Sequence, residues 1–200
     1  MTTVLIVPGL RGHVPEHWQT LLAAELSSEN IPNLTVPPLE LDGLSCAARV
    51  AAIEAALAGI AGPVVLVAHS AGVLMVAHWA ARHMRHTQRI RPIAGALLVT
   101  PPDLDAPWPP NYPSPDVLRT QGWAPPPDGP LPFPSILCAS DNDHLASPEA
   151  VRRMAAGWGS EVLELGMAGH MNPASGHGHW PQALPLVRRL CEGAGDDVVN

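Results

Sequence analysis

Six short apolar runs recur along the chain, and several of them are apolar without alternation: Val4–Val7, Leu34–Val36, Val64–Val67, Ala96–Val99, Ser135–Ala139 and Val162–Leu165. Each has the length of a strand, and the missing alternation marks strands covered on both faces. Between them lie longer segments of helical pattern, Glu16–Ser27, Leu44–Ile60, Gly72–Met84 and Pro148–Trp158, with Pro181–Leu190 at the end. Ser45 is placed to cap the second, and Ser147-Pro148 has the form of an N-cap followed by proline at the first helical position. This alternation predicts a parallel sheet of about six strands with right-handed crossovers. Helices on both faces would complete a three-layer αβα sandwich. Sites in such sheets lie beyond the carboxyl ends of the strands.

The chain's 200 residues suit one domain with a real core. The domain is expected to span residues 1–192, with polar Gly193–Asn200 as a frayed tail. The composition, 46% hydrophobic and 14% charged, is that of an ordinary globular protein. Every basic residue is an arginine, no basic stripe is present, and the net charge is −7. That balance argues against nucleic acid or an anionic membrane as a partner. Met1–Gly9 has neither the charged start nor the cleavage site of a secretory leader, and no segment has the length and apolarity of a membrane span. Cys46, Cys138 and Cys191 are odd in number and lack C-x-x-C spacing. They fit buried thiols in a reducing cytoplasm better than a disulfide framework or a zinc site.

The run Val64–Val67 leads into Ala68-His69-Ser70-Ala71-Gly72 and then into the helix-like Val73–Ala77. A strand, a sharp turn bearing one serine, then a helix is the layout of a nucleophile elbow. Its usual form is G-x-S-x-G; here Ala68 stands at the first glycine. A serine hydroxyl is a weak nucleophile and needs a base, the base needs an orienting acid, and the developing oxyanion needs donors. Beyond the run Ser135–Ala139, Ser140-Asp141-Asn142-Asp143-His144 offers two carboxylates. Asp143 lies deeper in the loop and is the preferred acid; Asp141 lies nearer the strand end, where it can simply shape the turn. Beyond Val162–Leu165, Gly169-His170 supplies the base. The expected oxyanion donors are the backbone N–H groups of Ala71, at a helix start, and Leu10, in the turn Pro8-Gly9-Leu10-Arg11-Gly12. Arg11 has two readings, a partner for an acidic group or a solvated rim residue.

The remaining histidines are read as structural. His69 packs beside the serine, and His78, His83 and His86 fall on or just after the helix behind it. His177-Gly178-His179 near His170 resembles a short ligand pair, but no H-E-x-x-H motif exists, and no metal is expected. Pro101–Pro134 holds more than half of the chain's 24 prolines. It reads either as a stiffened connection or as a partial cover whose aromatics, Trp108 and Trp123 foremost, line a substrate pocket.

Four blocks in order resemble one family. They are Val7-Pro8-Gly9-Leu10 with Glu16-His17-Trp18-Gln19, the elbow at Ser70, Ala139-Ser140-Asp141-Asn142-Asp143, and Gly169-His170-Met171-Asn172 with Ser175-Gly176-His177-Gly178 and Trp180-Pro181. The family is that of the small serine hydrolases grouped around YdeN and retinoblastoma-binding protein nine. The resemblance implies a single cytoplasmic α/β-hydrolase domain without a separate cap domain, a Ser70-His170-Asp143 triad and no cofactor. It does not bring the retinoblastoma partner with it, because Leu44-Ser45-Cys46-Ala47-Ala48 lacks the glutamate of L-x-C-x-E. The leading expectation is a carboxylesterase acting on small acyl esters through an acyl-enzyme. The alternatives are an amidase, peptidase or thioesterase, and a non-catalytic binding protein on the same fold.

Overall fold

The apolar runs pair into one sheet of six parallel strands, in the order β2-β1-β3-β4-β5-β6. The structure, a computed structural model, describes residues 1–11, 14–39, 44–86 and 93–192. The tail expected at Gly193–Asn200 lies outside the described residues. The strands are β1 (Thr3–Val7), β2 (Asn33–Thr35), β3 (Val64–His69), β4 (Ile93–Val99), β5 (Ser135–Ala139) and β6 (Glu161–Glu164). The helices are α1 (Trp18–Ser28), α2 (Cys46–Ala58), α3 (Ala71–His86), α4 (Pro115–Thr120), α5 (Pro148–Trp158) and α6 (Ala183–Glu192).

Alternate residues of the inner strands point to opposite faces, so each strand feeds two cores. Leu5, Val7, Leu66, Ala68, Leu98, Leu137 and Ala139 pack on one face with α2, α3 and α5. Val4, Ile6, Val65, Val67, Leu97, Val99, Ile136 and Cys138 pack on the other with α1 and α6. The helices present matching stripes, Trp18, Leu22 and Leu26 on α1 and Val151, Ala155 and Trp158 on α5. This is the α/β-hydrolase fold with helices on both faces, and the described residues build no separate cap domain. None of their helices is long and apolar enough to cross a membrane.

Most element starts follow local chemistry. Ser45 and Ser147 cap α2 and α5, each accepting the N–H three residues on (both 3.2 Å). Helix α1 begins at Trp18, two residues later than expected, because His17 caps it: His17 Nδ1 accepts the Gln19 N–H. Strand β6 starts and ends one residue earlier than the expected run and is only partly covered, as an edge strand is. Helix α4 was not expected. Its start, Ser114-Pro115-Asp116, repeats the Ser-Pro-acid pattern that opens α5, but the surrounding prolines hide it. Arg119 ties α4 down by pairing with Asp105 and Asp116 and donating to the Leu104 carbonyl.

The chain runs from β1 outward to β2, then returns to β3 and continues to β6. The order therefore reverses between β1 and β3, where the loops beyond the strands diverge and leave a crevice.

Candidate active site

Strand β3 ends at His69 and α3 starts at Ala71, so Ser70 alone makes the turn, at φ +56°. A non-glycine residue in that region is uncommon, and its strain of roughly 1–3 kcal/mol is held only by firm surroundings. The Ser70 N–H donates to the Val99 carbonyl and the Ser70 carbonyl accepts the Val73 N–H, both at 2.9 Å. Gly72 lets the turn seat. A Cβ there would stand 2.4 Å from the Val7 oxygen and 2.8 Å from the Pro8 oxygen, so the end of β1 lies against the first turn of α3. Ala68, where the usual motif has glycine, is fully buried within β3 and its methyl joins the core.

His170 Nε2 lies 2.8 Å from Ser70 Oγ, and His170 Nδ1 lies 2.9 and 3.0 Å from the two Asp143 oxygens. A carboxylate only accepts, so Nδ1 carries the proton and Nε2 is free to accept from the serine hydroxyl. The His170 and Asp143 side chains are 2% and 1% exposed, so water does not compete for these bonds. Asp143 also accepts the Leu145 N–H at 2.9 Å. Asp141 is exposed, its N–H donates to the Gly166 carbonyl at 2.8 Å, and its carboxylate acts on Arg152 at the surface. Of the two carboxylates in the loop, Asp143 is the one that meets His170.

Several residues that sequence reasoning passed over hold this array. The His170 N–H donates to Ser175 Oγ (3.0 Å) and the His170 carbonyl accepts from His69 Nε2 (2.9 Å), so its backbone is gripped from both sides. Asn142 Oδ1 accepts the Gly169 N–H (2.6 Å) and Ser140 Oγ accepts the Ala168 N–H (3.2 Å), stitching the acid loop to the base loop. Gly169 has φ +57°, and a Cβ on it would stand 2.6 Å from Ser175 Oγ. Gln19 Nε2 donates to the carbonyls of Val67 (3.0 Å) and Val7 (3.3 Å), linking β3 and β1 where they part. Buried Arg49 donates to the Leu10 carbonyl at 3.2 Å and so steadies the turn after β1.

His69 has more than a packing role, and its bond fixes which ring nitrogen is protonated. A carbonyl cannot donate, so Nε2 must carry the proton. Burial first, then the neighbouring His170 and His17 rings, hold the His69 pKa well below the ordinary value. Burial likewise lowers His78 and His144. As the pH falls through the ordinary histidine value of about 6.5, the unfolded chain takes up protons that the folded chain refuses. Stability should therefore fall between pH 7 and pH 5, and buried His69 sets the upper limit of its own share at about 1.4 kcal/mol per pH unit. Urea midpoints across this range should show the slope, and His69→Gln should flatten it. A midpoint that rises on acidification would contradict the assignment.

Ser70 and His170 open onto a cavity of about 500 Å³. Leu10 and Ala71, the expected oxyanion donors, both line it, as do Val14, Leu44, Trp108, Tyr112 and Leu145. Trp108 stands in the cavity wall, its indole N–H donating to the Asp103 carbonyl at 2.7 Å. Trp123 does not. It is fully buried in the core, its indole N–H donating to the Leu44 carbonyl at 2.7 Å, and it does not line the cavity. The proline-rich segment thus divides. Leu104, Leu118, Trp123 and Phe133 anchor it in the core, while Pro102, Trp108, Tyr112 and Pro113 reach the cavity. Among the described residues no three histidine, cysteine, aspartate or glutamate side chains converge as a metal set, and His179 instead faces Glu25 at 4.0 Å.

No curated protein sequence matches the chain. Among solved structures, a YdeN-like protein from Pectobacterium atrosepticum superposes with a TM-score of 0.71 at 26% identity, over 97% of this chain and 91% of that one. The ydeN gene product of B. subtilis gives 0.74 at 16% identity, over 96% and 100%. The RedJ thioesterase of Streptomyces coelicolor gives 0.57 at 16% identity, over 96% and 90%. The last two likenesses are likenesses of fold. The family model described as serine hydrolase matches residues 4–189, nearly the whole chain. With a serine on a strained turn, an imidazole on its hydroxyl and a carboxylate behind the imidazole, this chain belongs to the serine hydrolase family.

Proposed function

We propose that the protein is a carboxylesterase that cleaves small acyl esters through a covalent acyl-enzyme. The observation that carries this reading is the unbroken series Ser70 Oγ, His170 and Asp143 opening on the cavity. Ser70 Oγ attacks the ester carbonyl carbon while His170 Nε2 takes its proton. Asp143 holds the imidazole in the tautomer with Nδ1 protonated and stabilises the imidazolium that forms. The N–H groups of Leu10 and Ala71 receive the oxyanion, with the start of α3 adding a favourable dipole. Collapse of the tetrahedral species expels the alkoxide, which takes the proton from His170, and Ser70 is left acylated. Water then repeats the sequence, giving the carboxylic acid and free Ser70.

The cavity volume and its largely apolar wall favour a short acyl chain or a small ring. We also place the protein in a reducing cytoplasm, since Cys46, Cys138 and Cys191 are all unpaired, and burial pushes the Cys46 thiol up to about 11. A panel of matched ester, thioester and amide substrates tests the reading. The ester should give the highest kcat/KM, with a burst of alcohol release that reports acyl-enzyme accumulation. A thioester or amide turned over faster than its ester would replace the assignment.

A further inference from the structure

Arg11 lies on the rim of the cavity that holds Ser70, at the end of the turn after β1. Among the described residues it is the one permanently charged side chain lining that cavity, and no carboxylate lines it. Asp143 is sealed behind His170 and committed to it. In a chain of net charge −7, the described lining of this mouth is thus cationic. The guanidinium is also seated: Arg11 Nη2 donates to the Asn111 carbonyl at 3.0 Å, and its carbon stands 4.9 Å from the centre of the Tyr112 ring. Tyr112 is fixed in turn, its hydroxyl 3.1 Å from His144 Nε2. Among the described residues no ion pair neutralises Arg11. One carbonyl bond leaves most of its five N–H donors for a ligand, and a fork held in place loses little entropy on binding an anion.

We infer that the substrate carries a carboxylate at the end remote from the scissile bond, and that Arg11, seated on Tyr112 and Asn111, binds it. This inference rests on the esterase reading and narrows its substrate class to acidic esters. Ser70 works on the ester carbonyl while the distant carboxylate docks at the rim, which orients the acyl group toward His170. The carboxylate can belong to the acyl part or to the alcohol part of the ester; Arg11 would recognise either.

Two substrate pairs separate these sources. p-Nitrophenyl hydrogen adipate against its methyl ester carries the charge on the acyl side. 4-Carboxyphenyl butyrate against its methyl ester carries it on the alcohol side. The readout is the loss of kcat/KM on Arg11→Met, taken as a ratio between the charged and neutral members, so that intrinsic reactivity cancels. In at least one pair the charged ester should lose about 10-fold more than the neutral one, the scale of one charge-assisted hydrogen bond. The loss should appear in KM, and the preference should weaken with added salt. Arg11→Lys, which keeps a cation, should retain more of the preference than Arg11→Met. Equal losses for charged and neutral esters in both pairs would reduce Arg11 to a latch on the proline-rich segment and overturn the inference, as would equal loss of preference in the Lys and Met variants. Labelling of Ser70 by a fluorophosphonate keeps the two failures apart. Labelling with no charge preference sinks this inference alone, whereas no labelling and no turnover sinks the esterase reading beneath it.

Discussion

Ser70→Ala is expected to abolish turnover, lowering kcat on the order of 10⁶-fold, the scale at which removal of a triad nucleophile leaves only binding and oxyanion stabilisation. Labelling by a fluorophosphonate should vanish with it, while the urea midpoint should hold or rise. The second half of that expectation follows from the backbone. Ser70 sits at φ +56°, and the turn is held by its own N–H and carbonyl and by the space at Gly72, none of which the hydroxyl supplies. A folded, unlabelled and inactive variant is the outcome that fits. A variant that labels like the wild type would mean that another residue is the nucleophile.

The next largest effect belongs to the acid. Asp143→Asn should lower kcat by about 10⁴-fold, because an amide can donate to Nδ1 and so stabilise the wrong imidazole tautomer. The companion change Asp141→Asn should stay within a few-fold of wild type, since the substitution leaves the Asp141 backbone bond intact and its carboxylate acts on Arg152 at the surface. Parallel kcat values for the two variants decide the matter. If Asp141→Asn were the more damaging, the carboxylate assignment would be reversed. The tautomer argument also predicts a pH signature: turnover by Asp143→Asn should recover at high pH, where hydroxide substitutes for the missing base.

The contrast between these neighbouring aspartates shows where sequence reasoning reaches its limit. Both follow the same strand, and spacing only favours one of them. What separates them is a 2.9 Å bond to a ring that is 27 residues away in the chain. The framework was far more legible. Doubly covered strands read as unbroken apolar runs, and the Ser45 and Ser147 caps stand beside the helices they start. The elbow was legible for the same reason, being strand, turn and helix in one unbroken stretch. Trp123 went the other way, because an aromatic residue in a proline-rich connection looks the same whether it faces a cavity or fills a core. His69, Asn142 and Ser175 stand in recognisable blocks, but nothing local shows what each one holds. Each acts by reaching a backbone group of the base loop, and for His69 that group lies 101 residues distant. Arg11 was visible as a charge near the first turn, but its seating on Asn111 and Tyr112, 100 residues along the chain, was not.

The uneven covering of the sheet has one more outcome. Ser70 is rooted in β3, the most deeply enclosed strand, whereas His170 hangs beyond β6, a four-residue strand at the margin with its side chains partly in water. Opening a margin costs less free energy than opening the whole fold. The chemistry is thus wired between an enclosed strand and an edge strand of one sheet, and local opening at that edge should part His170 from Ser70 before the whole fold melts.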